Sequence, residues 1–129
     1  MRKNISFGSR FEELARYSRA VVSDGWVIVS GTVGVDPQTG VMPESVAQQA
    51  RNSFSIIERA LAEAGAALED VVRCAVYLTA AEYLQEIVPV LAEKFDRVRP
   101  ANTTIVCQLP VPAAKLEIEV WARLALRPR

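Results

Sequence analysis

Arg99-Pro100-Ala101-Asn102-Thr103-Thr104-Ile105-Val106-Cys107-Gln108-Leu109-Pro110-Val111-Pro112-Ala113-Ala114-Lys115-Leu116-Glu117-Ile118-Glu119 is the stretch on which the reading of this chain turns. A short β-branched strand runs into a Leu109-Pro110 corner. A second strand then alternates aliphatic and acidic residues through Leu116, Glu117, Ile118, Glu119 and Val120. Successive strand side chains point to opposite faces, so Glu117 and Glu119 share one face, opposite Leu116, Ile118 and Val120. Two carboxylates on such a strand need a partner, a ligand or water. A solvated sheet face satisfies that need as well as a binding site does.

Working outward, residues 17–22 and 26–33 read as strands joined through Ser23-Asp24-Gly25, where Asp-Gly signals a hairpin turn. Alternation in the second of these puts Val27, Val29, Gly31 and Val33 on one face and Trp26, Ile28, Ser30 and Thr32 on the other. Residues 1–16 are weakly periodic, with room for a helical turn at Phe11, Leu14 and Ala15. A helix is expected over Ser45–Ala64. Ser45 and Gln48 form a capping box, Val46, Ala50, Phe54, Ile57 and Leu61 recur at helical spacing, and Gly65 ends it. Val71 to Leu78 is a strand, and Thr79 with Glu82 predicts the cap of a second helix with Tyr83, Ile87, Leu91 and Phe95 inward. Pro89 predicts a kink or a break there. The last strands are expected over 102–107 and 115–125. The order β-β-α-β-α-β-β implies an α+β fold: one mixed sheet over residues 1–129, with both helices on one face. On the other face, Ser30, Thr32, Glu117, Glu119 and Trp121 beside apolar neighbours suggest an oligomer interface with pockets at its seams.

Composition narrows the chemistry. The chain has 129 residues, 15 basic and 15 acidic, so no net field draws nucleic acid or an anionic membrane. No apolar run approaches a membrane span, and Met1-Arg2-Lys3-Asn4-Ile5-Ser6 lacks the apolar core of a signal peptide. Cys74 and Cys107 match no zinc or redox spacing and read as reduced thiols of a cytoplasmic protein. There is no histidine, which removes imidazole bases, Ser-His-Asp and Cys-His arrangements and His-ligated zinc.

Beyond the opening stretch, Tyr17-Ser18-Arg19-Ala20-Val21, Val29-Ser30-Gly31-Thr32, Asp36-Pro37-Gln38-Thr39-Gly40, Gln49-Ala50-Arg51-Asn52, Ala64-Gly65, Asp70-Val71-Val72-Arg73 and Val76-Tyr77-Leu78-Thr79 follow in order. With Leu109-Pro110 and Glu117-Ile118-Glu119, they resemble the Rid (YjgF/YER057c/UK114) family over roughly residues 15–125. The resemblance implies a chorismate-mutase-like fold and a homotrimer whose three sheets form a barrel, with clefts between subunits. It implies hydrolysis of small reactive imines or enamines such as 2-aminoacrylate, without a metal or organic cofactor. By the same resemblance, Glu117 holds the attacking water, and Tyr17 and Ser30 complete the pocket. Asn102 falls where typical deaminating members carry the arginine that grips the substrate carboxylate.

Each candidate also has a structural reading. Glu117 could be a salt bridge across an interface. Asn102, with Thr103 and Thr104 behind it, could hold a small polar ligand or cap a turn. Ser30 could touch ligand or bond to backbone, and Tyr17, Cys107, Trp26 and Trp121 could be packing. Losing a guanidinium–carboxylate contact at Asn102 would cost about 2–4 kcal/mol. Arg19, Arg73 or Arg99 could supply a cation from elsewhere. The expected function is a cofactor-free imine hydrolase of altered specificity; a non-catalytic small-molecule-binding or sensing trimer is the alternative. A ribonuclease is disfavoured by the charge balance and the missing histidine.

Overall fold

Asp24 and Gly25, both at positive φ (52° and 78°), turn the chain between β2 (Ala20–Ser23) and β3 (Trp26–Val33), as the Asp-Gly pair predicts. The computed structural model describes residues 1–124. Around that hairpin lie β1 (Arg2–Ile5), α1 (Arg10–Ala15), α2 (Val46–Glu63), β4 (Val71–Leu78), α3 (Tyr83–Phe95), β5 (Ala101–Val106) and β6 (Leu116–Arg123). The sheet order is β1-β2-β3-β6-β4-β5, with β4–β5 parallel and the other pairs antiparallel. The mixed α+β sheet with α2 and α3 packed on it is as the sequence implies. Residue 125 of the expected last strand lies outside the described residues.

β1 was not anticipated. Arg2-Lys3-Asn4 are exposed and carry no strand pattern; only Ile5 is buried. Pairing with the free edge of β2 orders it, with Ile5 opposite Ala20, and Asn4 Nδ2 donates to Ser18 Oγ at 2.8 Å.

α2 buries Val46, Ala50, Phe54, Ile57 and Leu61 as its spacing requires. Ser45 Oγ accepts from Gln48 N at 3.1 Å, and Gly65 follows the helix at φ +80°. Only half of the expected capping box forms, because the Gln48 amide donates forward to Asn52 Oδ1 instead of back to residue 45. The expected cap of α3 is absent: Thr79 Oγ1 donates to Lys115 O and the helix starts at Tyr83 without a side-chain cap. α3 runs unbroken through Pro89, which faces solvent, so water can take the carbonyl its ring leaves free. Phe54 and Phe95 meet edge-to-face, ring centroids 5.4 Å apart, and join the two helices over Val27, Val29, Val76, Leu116 and Ile118.

The alternation expected for β3 fails at its end. Val29 pairs with Val120 but Thr32 pairs with Ile118, so β3 carries one extra residue at Ser30-Gly31. The bulge turns Thr32 into the core, where it is 1% exposed, and puts Val33 opposite Glu117. Thr32 therefore does not face the open side. Fully buried Gln49 locks α2 to the chain before β6, donating to Pro43 O and Ala113 O and accepting from Lys115 N at 2.8 Å.

Candidate functional site

The bulge in β3 makes a seat for Glu117. A Cβ on Gly31 would lie 2.8 Å from both Cδ and Oε1 of Glu117, closer than real atoms approach. Glycine at 31 thus leaves room for the carboxylate to lie flat on the strand. The carbonyl of Gly31 accepts from Arg19 Nη2 at 2.6 Å. Gly31 therefore meets both charged groups: its bare Cα seats the carboxylate and its carbonyl takes the guanidinium.

Both line a cavity of about 510 Å³ between the start of β2, the bulge and the segment 7–12. Tyr17 lines it too, its ring 5.9 Å from the Arg19 guanidinium. The wall is apolar through Phe7, Phe11, Val33, Val35 and Ile56. The roof is set by Glu12, 4% exposed, whose carboxylate accepts from Ser6 Oγ, Phe7 N and Ser9 Oγ at 2.9–3.1 Å. Ser9 Oγ in turn accepts from Glu12 N, so the pair is a reciprocal N-terminal cap of α1. The Arg59 guanidinium sits 4.0 Å above the Phe7 ring.

Burial pushes the Glu117 carboxyl above its ordinary range; Arg19 works against this and Glu119 adds to it. Glu117 and Glu119 do share a face, as the alternation requires. Their surroundings differ: the Tyr77 hydroxyl donates a short hydrogen bond to Glu119, and this raises the Tyr77 pKa. Arg73, Tyr77, Glu119 and Trp121 thus make a second, polar-aromatic strip on the open face beside exposed Ile105.

Of the five candidate residues, Glu117 and Tyr17 meet at the cavity. Ser30 lies in the bulge beside them, but its hydroxyl donates to Ser18 O at 2.7 Å. Asn102 and Thr104 lie apart, on edge strand β5. Asn102 is exposed, contacts Thr104 Oγ1 at 3.0 Å and borders a groove of about 370 Å³ floored by Leu91 and Phe95. Cys107 is partly buried just beyond β5, and Cys74 is buried with its thiol pushed up to about 12. Glu12 and Arg59 were missed as cavity residues; Ser9-x-x-Glu12 is a capping-box signature and was legible. No group of three or more His, Cys, Asp or Glu side chains able to hold a metal occurs among the described residues, and none of their helices is long and apolar enough to cross a membrane.

The family model described as Endoribonuclease L-PSP matches residues 7–124, which carry every element just described except β1. The chain belongs to this family. A RutC family protein of Aquifex aeolicus is 33% identical over 109 residues, covering 82% of this chain and 86% of that one. The solved structure of Rv2704 of Mycobacterium tuberculosis, a member of the YjgF/YER057c/UK114 family, is 37% identical, with TM-score 0.87 over 96% of this chain and 100% of that one. YyfA of Yersinia pestis, of the conserved Rid protein family, superposes with TM-score 0.85 at 26% identity, covering 96% of this chain and 100% of that one. The L-PSP/YjgF fold and the Rid resemblance of the sequence are thereby shown.

Proposed function

We propose that this chain hydrolyses the C=N bond of a small reactive imine or enamine metabolite, without a cofactor, in a cleft completed between subunits of a homotrimer. The observation that carries the reading is Glu117: a half-buried carboxylate with a raised pKa, seated on Gly31 and facing a mostly apolar cavity. A carboxylate desolvated in this way is a stronger base once ionised and suits proton transfer.

The chemistry balances with water alone. An enamine first tautomerises to the imine. The water oxygen then bonds to the carbon of the imine, protonated at nitrogen, while the C=N π pair moves to nitrogen; Glu117 takes one water proton, leaving a neutral carbinolamine. Glu117 returns that proton to the amino nitrogen, and the C–N bond breaks as the hydroxyl O–H pair becomes the C=O bond. The hydroxyl proton leaves with ammonia as ammonium, beside a carbonyl compound. Asn102 offers neutral donors where typical deaminating members present a guanidinium, so substrate choice differs from theirs.

The second reading is a trimer that binds a small molecule without turnover. It is favoured by the commitment of the Ser30 hydroxyl to backbone and by the placement of Asn102 outside the cavity. The two separate on one assay: imines generated in situ from several amino acids, with ammonia release and semicarbazide trapping followed for wild type and Glu117→Gln. Hydrolysis by wild type that Glu117→Gln loses while folded supports the enzyme. Ligand binding with no ammonia from any imine supports the binding protein. Although the family name speaks of a ribonuclease, equal numbers of acidic and basic residues and no histidine count against one.

A further inference from the structure

Arg19 is 9% exposed, yet its guanidinium is poorly satisfied. Nη2 donates to Gly31 O, and Nε is buried without a partner, the one such side-chain atom among the described residues. The ion pairs among the described residues, Arg51–Glu93 and Lys94–Glu58, lie elsewhere on the molecule. Glu117, whose acidity Arg19 increases, shares the cavity with Arg19 without forming an ion pair with it. A buried guanidinium is costly to desolvate and is retained where an anion meets it. Tyr17 covers one side of it, and Gly31 fixes its direction toward the cavity.

We propose that Arg19 is the anion anchor of this site: it takes the carboxylate of an α-imino acid whose apolar side chain lies against Phe7, Phe11 and Ile56, and so replaces a cation at residue 102. The proposal rests on the hydrolase reading for the imino group, but not for the carboxylate. Arg19 and Glu117, which line one cavity and each meet Gly31, would bracket a ligand whose acid group and reacting carbon are adjacent atoms. A branched aliphatic side chain is suited to a cavity of this size and lining.

The probe is 4-methyl-2-oxopentanoate, a stable carbonyl analogue, titrated calorimetrically beside its neutral amide. Wild type is expected to bind the acid at least about ten-fold more tightly than the amide, the scale of one charge-assisted hydrogen bond. Arg19→Gln should remove that preference and leave amide binding unchanged, while Arg19→Lys should keep part of it. Equal binding of acid and amide by wild type would overturn the proposal without any variant. So would an acid preference that survives in Arg19→Gln. Should Arg19→Gln not fold, the comparison of wild type with Arg19→Lys decides: a preference identical in both would sink the anchor. If acids bind through Arg19 but no imine is hydrolysed, the hydrolase reading fails and the anchor stands. If imines are hydrolysed through Glu117 with KM indifferent to Arg19, the reverse holds.

Discussion

Glu117 links stability, acidity and turnover at one side chain. Its carboxyl titrates above the ordinary value of 4.5 in the folded chain, so between the two values the native state holds more protons than the unfolded one. Stability is then fullest below about that ordinary value and falls as pH rises through the folded one. Glu117→Gln is expected to flatten this slope and raise the melting temperature at pH 7, while removing hydrolysis. Thermal melts from pH 4 to 8 check the sign, and a lower melting temperature at neutral pH would refute it. Turnover needs the ionised form, so kcat should climb with pH through an apparent pKa above the usual carboxylate range. Gly31 gives an independent handle on the same geometry. Gly31→Ala forces a methyl into the space of the Glu117 carboxylate and should cost about 1–3 kcal/mol of stability by overpacking. It should also cost activity, read by denaturant melts and ammonia release on one preparation. Cys74, with its thiol pushed up to about 12, should resist iodoacetamide at pH 8 until the chain unfolds.

Elements differ in how openly the sequence declares them, and the reason is locality. α2 is legible because Ser45, the stripe from Val46 to Leu61 and Gly65 all act within one helix. Phe54→Ala should accordingly cost about 3–5 kcal/mol, measured by urea unfolding; a loss below about 1 kcal/mol would mean the core closes over the gap. β6 is legible because one face is core and the other open, so its burial follows strict alternation. The bulge in β3 is not, since it exists only as a mismatch in count against β6, a strand some 90 residues away, and Thr32 turns inward as a result. β1 is hidden likewise: Arg2-Lys3-Asn4 has no pattern of its own and borrows order from β2. Glu117 could be singled out from an acid on an apolar strand, whereas its seat on Gly31 and the cavity it shares with Arg19 required the fold.

At the scale of the whole molecule, the open sheet face carries Trp121 and Ile105, both at least 40% exposed, around the Tyr77–Glu119 contact. An aromatic and aliphatic surface interrupted by a satisfied polar pair matches the make-up of a subunit interface. The proposed trimer should scatter light as three times the 14.2 kDa of the chain, and Trp121→Glu should shift it toward monomer. A wild type that stays monomeric at micromolar concentration would remove the shared cleft. The strand order has a further consequence, for biosynthesis. β6 is the last made of the described strands, yet it lies in the middle, between β3 and β4. A nascent chain still tethered at its C-terminus can form the β1-β2-β3 meander and the β4-α3-β5 unit, but has no strand to pair their facing edges. The two halves wait with facing edges unpaired, the condition in which strands find wrong partners. Closure depends on contacts distant in sequence and so comes late. A ribosome stalled before Leu116 would therefore hold a client for chaperones, whereas one stalled only after Arg123 has emerged would hold a finished sheet.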